Sequence, residues 1–281
     1  MFKNQLKTTI LLSFLFGVFL VIGYLLGGQS GLTIAFIFAL VFNVISYWYS
    51  DKLVLKMYKA QPATKKEYSN LHKMVEEISH RAKIPKPKLY IVPDKNANAF
   101  ATGRDPKHAV VAVTQGILEL LNEEELKGVL AHEISHIKNR DMLISTIAAV
   151  IAGAISYLAF MARWAAIFGG RGDGRNSNIV ELLALSILAP IMALIIRMAI
   201  SRSREFIADE TSARLTGEPK HLASALQKLE DNSRKLPMRM GNQSTASLFI
   251  INPFSGAKMA KLFSTHPLTK DRIDKLNSMK L

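Results

Sequence analysis

Asn122-Glu123-Glu124-Glu125-Leu126-Lys127-Gly128-Val129-Leu130-Ala131-His132-Glu133-Ile134-Ser135-His136 reads as one helix. Asn122 can cap it, the three acids occupy the first turn, where the helix dipole favours negative charge, and Leu126, Val129 and Leu130 repeat at helical spacing. His132 and His136 stand four apart, about one turn, so both imidazoles project from one face and can grip a single metal ion. Glu133 follows the first of them directly and can reach a metal-bound water as its general base, the arrangement of a zinc peptidase. The competing reading, two histidines on a solvated helix face, has less support from the capped, apolar-periodic context.

Outward from this helix the chain is unusually apolar. Of its 281 residues 49% are hydrophobic, and the cause is local. From Thr8 to Ser50 there is no charged residue, and Gly27, Gly28, Gln29, Ser30 and Gly31 interrupt the run near its middle. Two membrane-spanning helices of about 20 residues joined by a tight turn fit this pattern. A cleaved signal peptide fits the first less well, because its apolar stretch exceeds the usual 7–15 residues and no small-residue cleavage site follows. Met142 to Ala162 carries no charge and Asn176 to Ile196 only Glu181, giving a second candidate hairpin. Lys3, Lys7, Lys52, Lys56, Lys59, Lys65, Lys66, Lys138, Arg140, Arg197, Arg202 and Arg204 flank the four runs on one side, which places both termini and the His-Glu helix in the cytoplasm. Arg163, Arg171 and Arg175 against Asp173 on the opposite side weaken the bias without reversing it.

With no cysteine, any metal must be held by His, Asp or Glu. A net charge of +14 raises the possibility of nucleic-acid binding. The bases cluster beside the apolar runs and no recognition motif accompanies them, so contact with anionic lipid is the simpler account.

The soluble parts read as a mixture of helix and sheet. Gln61 to Lys66 is a polar linker, and Tyr68 to Ile84 is an amphipathic helix ended by Pro85 and Pro87. Strands are expected over Lys88 to Val92, Ala97 to Thr102 and Ala109 to Thr114, then a short helix over Gln115 to Leu121. Helices follow over Arg202 to Leu215, Pro219 to Asp231 and Leu268 to Met279, with a polar, mobile stretch from Met238 to Ser247. The fold class is therefore a mainly α integral membrane protein whose α+β catalytic domain carries a small sheet. Its segments are an amino-terminal transmembrane hairpin (1–50), a first catalytic part with the metal helix (51–141), an inserted transmembrane hairpin (142–200) and a second catalytic part (201–281).

A catalytic zinc takes three protein ligands and leaves a position for water. Glu205, in Ser203-Arg204-Glu205-Phe206-Ile207-Ala208-Asp209, is the third candidate. It and His136 both stand roughly 10 Å from the membrane boundary, at a rise of about 1.5 Å per residue, so two antiparallel helices leaving one bilayer face would bring them together. A surface glutamate paired with Arg202 or Arg204 is the alternative. Asp209 lies one turn beyond Glu205 and can accept the free N–H of a ligating histidine, fixing its tautomer; a salt bridge along the helix is the alternative there.

Ala131-His132-Glu133-Ile134-Ser135-His136, Glu205-Phe206-Ile207-Ala208-Asp209 and Asn96-Ala97-Asn98-Ala99-Phe100-Ala101-Thr102-Gly103, in this order, resemble the HtpX family of bacterial membrane zinc metalloproteases, relatives of the CAAX prenyl endopeptidases. The resemblance extends over essentially the whole chain. It implies a zincin-like (gluzincin) domain and one zinc ion per chain on His132, His136 and Glu205, with Glu133 as base and Asp209 behind the ligands. It further implies endoproteolysis of damaged or misassembled membrane proteins, or other unfolded polypeptides, at the cytoplasmic face of the cell inner membrane, as part of a stress response. The prenyl-processing branch resembles a larger multi-span chamber and fits four spans poorly.

Two further elements bear on the site. His266, in Phe263-Ser264-Thr265-His266-Pro267, resembles a His-Pro element of the family and could donate to the oxyanion; a histidine preceding a helix with Pro267 at its first position is the alternative. Arg272 is a weaker candidate. The small residues of Asn96, Ala97, Asn98, Ala99 and Phe100 suit a strand open to pairing with an extended substrate peptide, against a plain internal strand. The acids and bases around the motif exclude an intramembrane zinc site. A transporter would need polar or broken mid-membrane segments in several spans, where only Asn43, Glu181 and Pro190 stand out.

Overall fold

The computed structural model describes residues 2–141, 204–238, 246, 248–254 and 267–280. The third and fourth expected spans, most of the stretch from Met238 to Ser247, and His266 lie outside these residues.

Helix α1 (Phe2–Met57) runs through the charge-free stretch and breaks at Gly27 and Gly28. Gly28 has φ +56, a left-handed conformation that glycine adopts without steric cost, so the expected turn falls where the glycines are. Among the described residues, no helix is long and apolar enough to cross a membrane.

The sheet contains β1 (Gln61–Pro62), β2 (Lys88–Val92), β3 (Ala99–Thr102) and β4 (Val110–Thr114) in the order β1-β2-β4-β3. Strands β2 and β4 are parallel, whereas β1 on β2 and β3 on β4 are antiparallel. Strand β1 falls inside the stretch read from sequence as linker. It pairs Gln61 with Ile91 and Pro62 with Tyr90, and its exposed side chains carry no apolar alternation to betray it.

Central β4, Val110-Val111-Ala112-Val113-Thr114, is buried throughout, as its continuous apolar run requires when both faces are covered. Period-two alternation divides its side chains. Val111 and Val113 join the main core beneath helices α2 (Ser69–Ala82) and α4 (Glu123–Asn139). Val110 and Ala112 face a second cluster built from Val54, Leu55 and Tyr58 at the end of α1, with Phe100, Phe249 and Met238. Tyr58, Phe100 and Phe249 pack with ring centroids 5.1–5.7 Å apart, tying the amino-terminal hairpin to the sheet. Met238 and Ala246, at the ends of the stretch expected to be mobile, are buried.

Helix α3 (Gln115–Leu120) leads into α4, whose start is a complete capping box. Asn122 Oδ1 accepts from the Glu125 N–H at 2.9 Å, and Glu125 Oε2 accepts from the Asn122 N–H at 3.1 Å. Val129, Leu130, Ile134 and Ile137 are fully buried, worth about 1.5–3 kcal/mol each, and they press α4 between the sheet and two later helices. These are α5 (204–216) and α6 (Pro219–Lys235), and α7 (Thr269–Ser278) packs on α6. Gly128 permits the close approach. A Cβ there would meet the Leu222 backbone nitrogen at 3.0 Å, and the Gly128 carbonyl accepts from Ser212 Oγ of α5 at 3.0 Å.

Candidate metal centre

Helices α4 and α5 deliver the candidate ligands. His132, Glu133 and Glu205 are 0, 1 and 6% exposed, and the two imidazole rings stand edge to face with centroids 4.7 Å apart. The Nε2 atoms of His132 and His136 are 3.1 Å apart. Glu205 Oε2 lies 3.5 Å from the first and Oε1 3.6 Å from the second. Tetrahedral zinc with bonds of about 2.0–2.2 Å gives ligand-to-ligand edges of about 3.3–3.6 Å. The two histidine-to-carboxylate separations fall in that range, each to a different Glu205 oxygen, while the 3.1 Å between the ring nitrogens is shorter; two ring nitrogens so close make sense when both point at one cation. Among the described residues, these three form the group that could hold a metal ion.

The electrostatics favour a cation at this point. Burial alone would lower the His132 pKa, yet hydrogen bonds to Asp209 and Glu205 raise it to about 9. The same two carboxylates favour positive charge at this point, whether a proton or a metal ion. Burial also raises the Glu133 carboxyl above the usual range, against the pull of His132 and His136. Its Oε1 is buried without a hydrogen-bond partner among the described residues, as expected of a base whose partner is a substrate water.

Behind the ligands lies a charged assembly that sequence reasoning saw only in part. His132 Nδ1 sits 2.9 Å from Asp209 Oδ1, a separation that lets the ring donate its remaining N–H and present Nε2 to the metal. Arg272 of α7, 1% exposed, donates Nε to Asp209 Oδ2 at 2.8 Å, Nη2 to Oδ1 at 2.7 Å and Nη1 to the Ile250 carbonyl at 2.8 Å. Nη1 also lies 3.3 Å from Glu205 Oε2. Burial would raise the Asp209 pKa, but the Arg272 charge and these bonds hold it below the ordinary value. The expectation ranked Arg272 lowest, and its sequence context, Thr269-Lys270-Asp271-Arg272, resembles any solvated helix start. Asp141, 3% exposed, counts in the sequence only among the charges around the motif; it follows the left-handed Arg140 at φ +58 and places Oδ2 3.4 Å from His136 Nδ1.

The strand residues serve elsewhere in the described structure. Asn96 Nδ2 donates to the Leu236 carbonyl at 2.6 Å and Asn98 Nδ2 to the Ile251 carbonyl at 2.8 Å. Ala97, Ala99 and Phe100 are fully buried. The β3 edge carries a bridge from Phe100 to Phe249, with the Ile250 N–H donating to the Ala99 carbonyl at 3.2 Å.

The Peptidase family M48 model matches residues 65–280. A Protease HtpX homolog from Desulforapulum autotrophicum is 53% identical over 276 residues, covering 97% of this chain and 89% of that one. One from Pyrococcus furiosus is 54% identical over 274 residues, covering 97% and 95%. Among solved structures, S. mikatae Ste24p aligns with a TM-score of 0.55 at 18% identity, a likeness of fold. It covers 98% of this chain, which spans 66% of that longer one. With a family model over most of its length and relatives at half identity along nearly all of it, the chain belongs to peptidase family M48, among the HtpX proteases, and is a zinc-dependent metalloendopeptidase.

Proposed function

We propose that this peptidase is anchored in a cell membrane by two helical hairpins, 1–50 and 142–200, and cuts damaged or misassembled membrane proteins at the cytoplasmic face. The anchor is supported by the absence of charge from Thr8 to Ser50 and by α1, which exposes Val21, Ile34, Ile37 and Leu40 at 52–69%. Side chains of this kind are stable against lipid and costly against water. The catalytic domain is then assembled from 51–141 and 201–281, and the flanking lysines and arginines set its side. Stress-linked quality control follows from the same reading, as does location in a bacterial inner membrane.

The observation that carries the reading is the convergence of His132, His136 and Glu205 beside the orphaned Glu133 oxygen. These three residues would hold the zinc, with Asp209 orienting His132. When bound, zinc polarises the scissile carbonyl and lowers the pKa of its water towards about 7. Glu133 takes the proton of the attacking water and passes it to the leaving amine. Arg272 fixes Asp209, and through it the His132 ring. His266 would donate to the developing oxyanion. Strand β3 would pair with the substrate backbone only where the substrate takes the place that Phe249 and Ile250 hold.

Cleavage of casein by the detergent-purified chain tests this, wild type beside Glu133→Gln, with bound metal measured in both. Equal metal and a loss of about 10²–10⁴-fold in rate are expected for loss of a general base. Equal rates in the two proteins would remove Glu133 from the mechanism.

A further inference from the structure

Where α1 leaves its charge-free run, it faces the sheet across a cavity of about 470 Å³ lined by Trp48, Lys52, Lys88, Arg104, Lys107 and His108. Four cations line it, Lys52, Lys88, Arg104 and Lys107, against one acid, Asp51. The neighbouring Asp105 is largely committed. Its carboxylate accepts the Lys107 and His108 backbone N–H groups at 2.8 and 3.0 Å and stands 2.9 Å from His108 Nδ1. It also lies 3.6 Å from Arg104 Nε. Lys52, Lys88 and Lys107 make no ion pair among the described residues. The Arg104 guanidinium lies 4.7 Å from the Trp48 ring and the Lys52 ammonium 5.1 Å from that of Tyr49. Cation–π stacking holds a cation in place while leaving its N–H groups free for an acceptor.

We propose that this cavity binds the phosphate of an anionic phospholipid headgroup and so seats the catalytic sheet on the membrane surface. Its level identifies the ligand. The last charge-free residue of α1 is Ser50, and Asp51 and Lys52 open the basic stretch that follows. Trp48 and Tyr49 are the aromatic types that sit at headgroup depth. The cavity is therefore apolar and aromatic towards the acyl chains and cationic towards the headgroup, and its size falls in the range of about 300–1,000 Å³ usual for small-ligand sites. Arg104 supplies a planar fork for phosphate and the lysines supply point charges. Free phosphate shares this chemistry, but it would gain nothing from Val44, Trp48 and Tyr49. The inference rests on the membrane-anchored reading.

The test uses the full chain with Trp164→Phe, leaving Trp48 as its one tryptophan of two. Trp48 emission is followed in uncharged detergent as short-chain phosphatidylglycerol, phosphatidylcholine or inorganic phosphate is added. Saturable binding of the glycerol lipid is expected, at least tenfold tighter than the choline lipid or phosphate. Adding Lys88→Gln and Lys107→Gln, both exposed positions, should weaken it about thirtyfold while casein cleavage and metal content hold. Equal binding of the two lipids, or no effect of the double substitution, would overturn the proposal. Phosphate binding as tightly as the glycerol lipid would overturn the lipid source and leave a soluble-anion site. Carbonate extraction of membranes from expressing cells separates the two readings. Release of the chain would refute the anchor and the lipid source together, whereas retention without lipid selectivity would refute the headgroup site alone.

Discussion

Replacing Arg272 by Met keeps most of the side-chain volume and removes the charge that Asp209 and Glu205 share. The loss is two hydrogen bonds to Asp209 and one to the Ile250 carbonyl, all at 2.7–2.8 Å in a fully buried setting. Breaking a buried ion pair from one side costs about 3–5 kcal/mol, because the surviving charge is stranded. Orphaning a buried carbonyl adds about 1–3 kcal/mol. The sum, about 4–8 kcal/mol, is comparable to the 5–15 kcal/mol that typically separates folded from unfolded domains. Zinc should offset part of it, since a divalent cation beside Glu205 and His132 replaces the missing positive charge. Unfolding followed by circular dichroism in detergent, zinc-loaded and zinc-free, should show Arg272→Met strongly destabilised and more so without metal. In a double-mutant cycle with Asp209→Leu, the double variant should be more stable than the summed singles by about 3 kcal/mol or more, since the Asp209 charge is no longer stranded and only Glu205 lacks its Arg272 partner. Additivity within about 0.5 kcal/mol, or a single variant within about 1 kcal/mol of wild type, would refute the coupling.

Three other outcomes follow from the frame around the site. Gly128→Val drives a branched side chain into the Leu222 backbone 3.0 Å away; an overpacking cost of about 1–3 kcal/mol is expected, read as a lower unfolding midpoint at unchanged metal stoichiometry. Burial would raise the Glu125 pKa, but Lys228 at 2.8 Å, Ser224 at 2.7 Å and the Asn122 N–H lower it below the ordinary value. Its stabilisation is therefore full above the unfolded carboxyl pKa of about 4.3 and lost as pH falls through the lower folded value. Lys228→Met should move the acid-unfolding midpoint to higher pH. Removing zinc by chelation should lower the thermal midpoint and abolish casein cleavage while leaving the far-ultraviolet spectrum intact; collapse of the helical signal would mean that the metal holds the fold.

What was legible in the sequence was what short-range physics writes there. The first-turn acids, the Asn122 cap and the apolar spacing marked α4, and short apolar runs bounded by turn residues located β2, β3 and β4 to within two residues. The missing parts depend on partners far along the chain. Strand β1 is two exposed residues held by backbone pairing to Ile91 and Tyr90, and no side-chain pattern announces that. Asn96 and Asn98 looked like small polar residues of an open strand, yet each amide reaches a carbonyl about 140–153 residues away. Arg272 sits in a polar stretch that promises solvent; its burial is decided by Asp209, 63 residues earlier.

The same separation explains how the site is built. The ligands flank residues 142–203, so His136 and Glu205, 205 − 136 = 69 residues apart, must be held together against a loop-closure cost of about 4 kcal/mol plus a constant. Metal binding can supply that, and protein–protein contacts contribute as well. Ser212 bonds to Gly128 where α5 crosses α4, Asp209 spans His132 and Arg272, and Ile250 receives Arg272 from a third element. Each contact joins segments that the 142–203 stretch or the carboxy-terminal stretch would otherwise separate. These contacts hold the two ligand-bearing helices together by bonds that do not involve the metal, the support a precise ligand geometry needs. Asp141 and Arg204, the described residues on either side of 142–203, are both buried beside the site, at 3 and 6% exposure, and extend this frame to the ends of the two ligand helices.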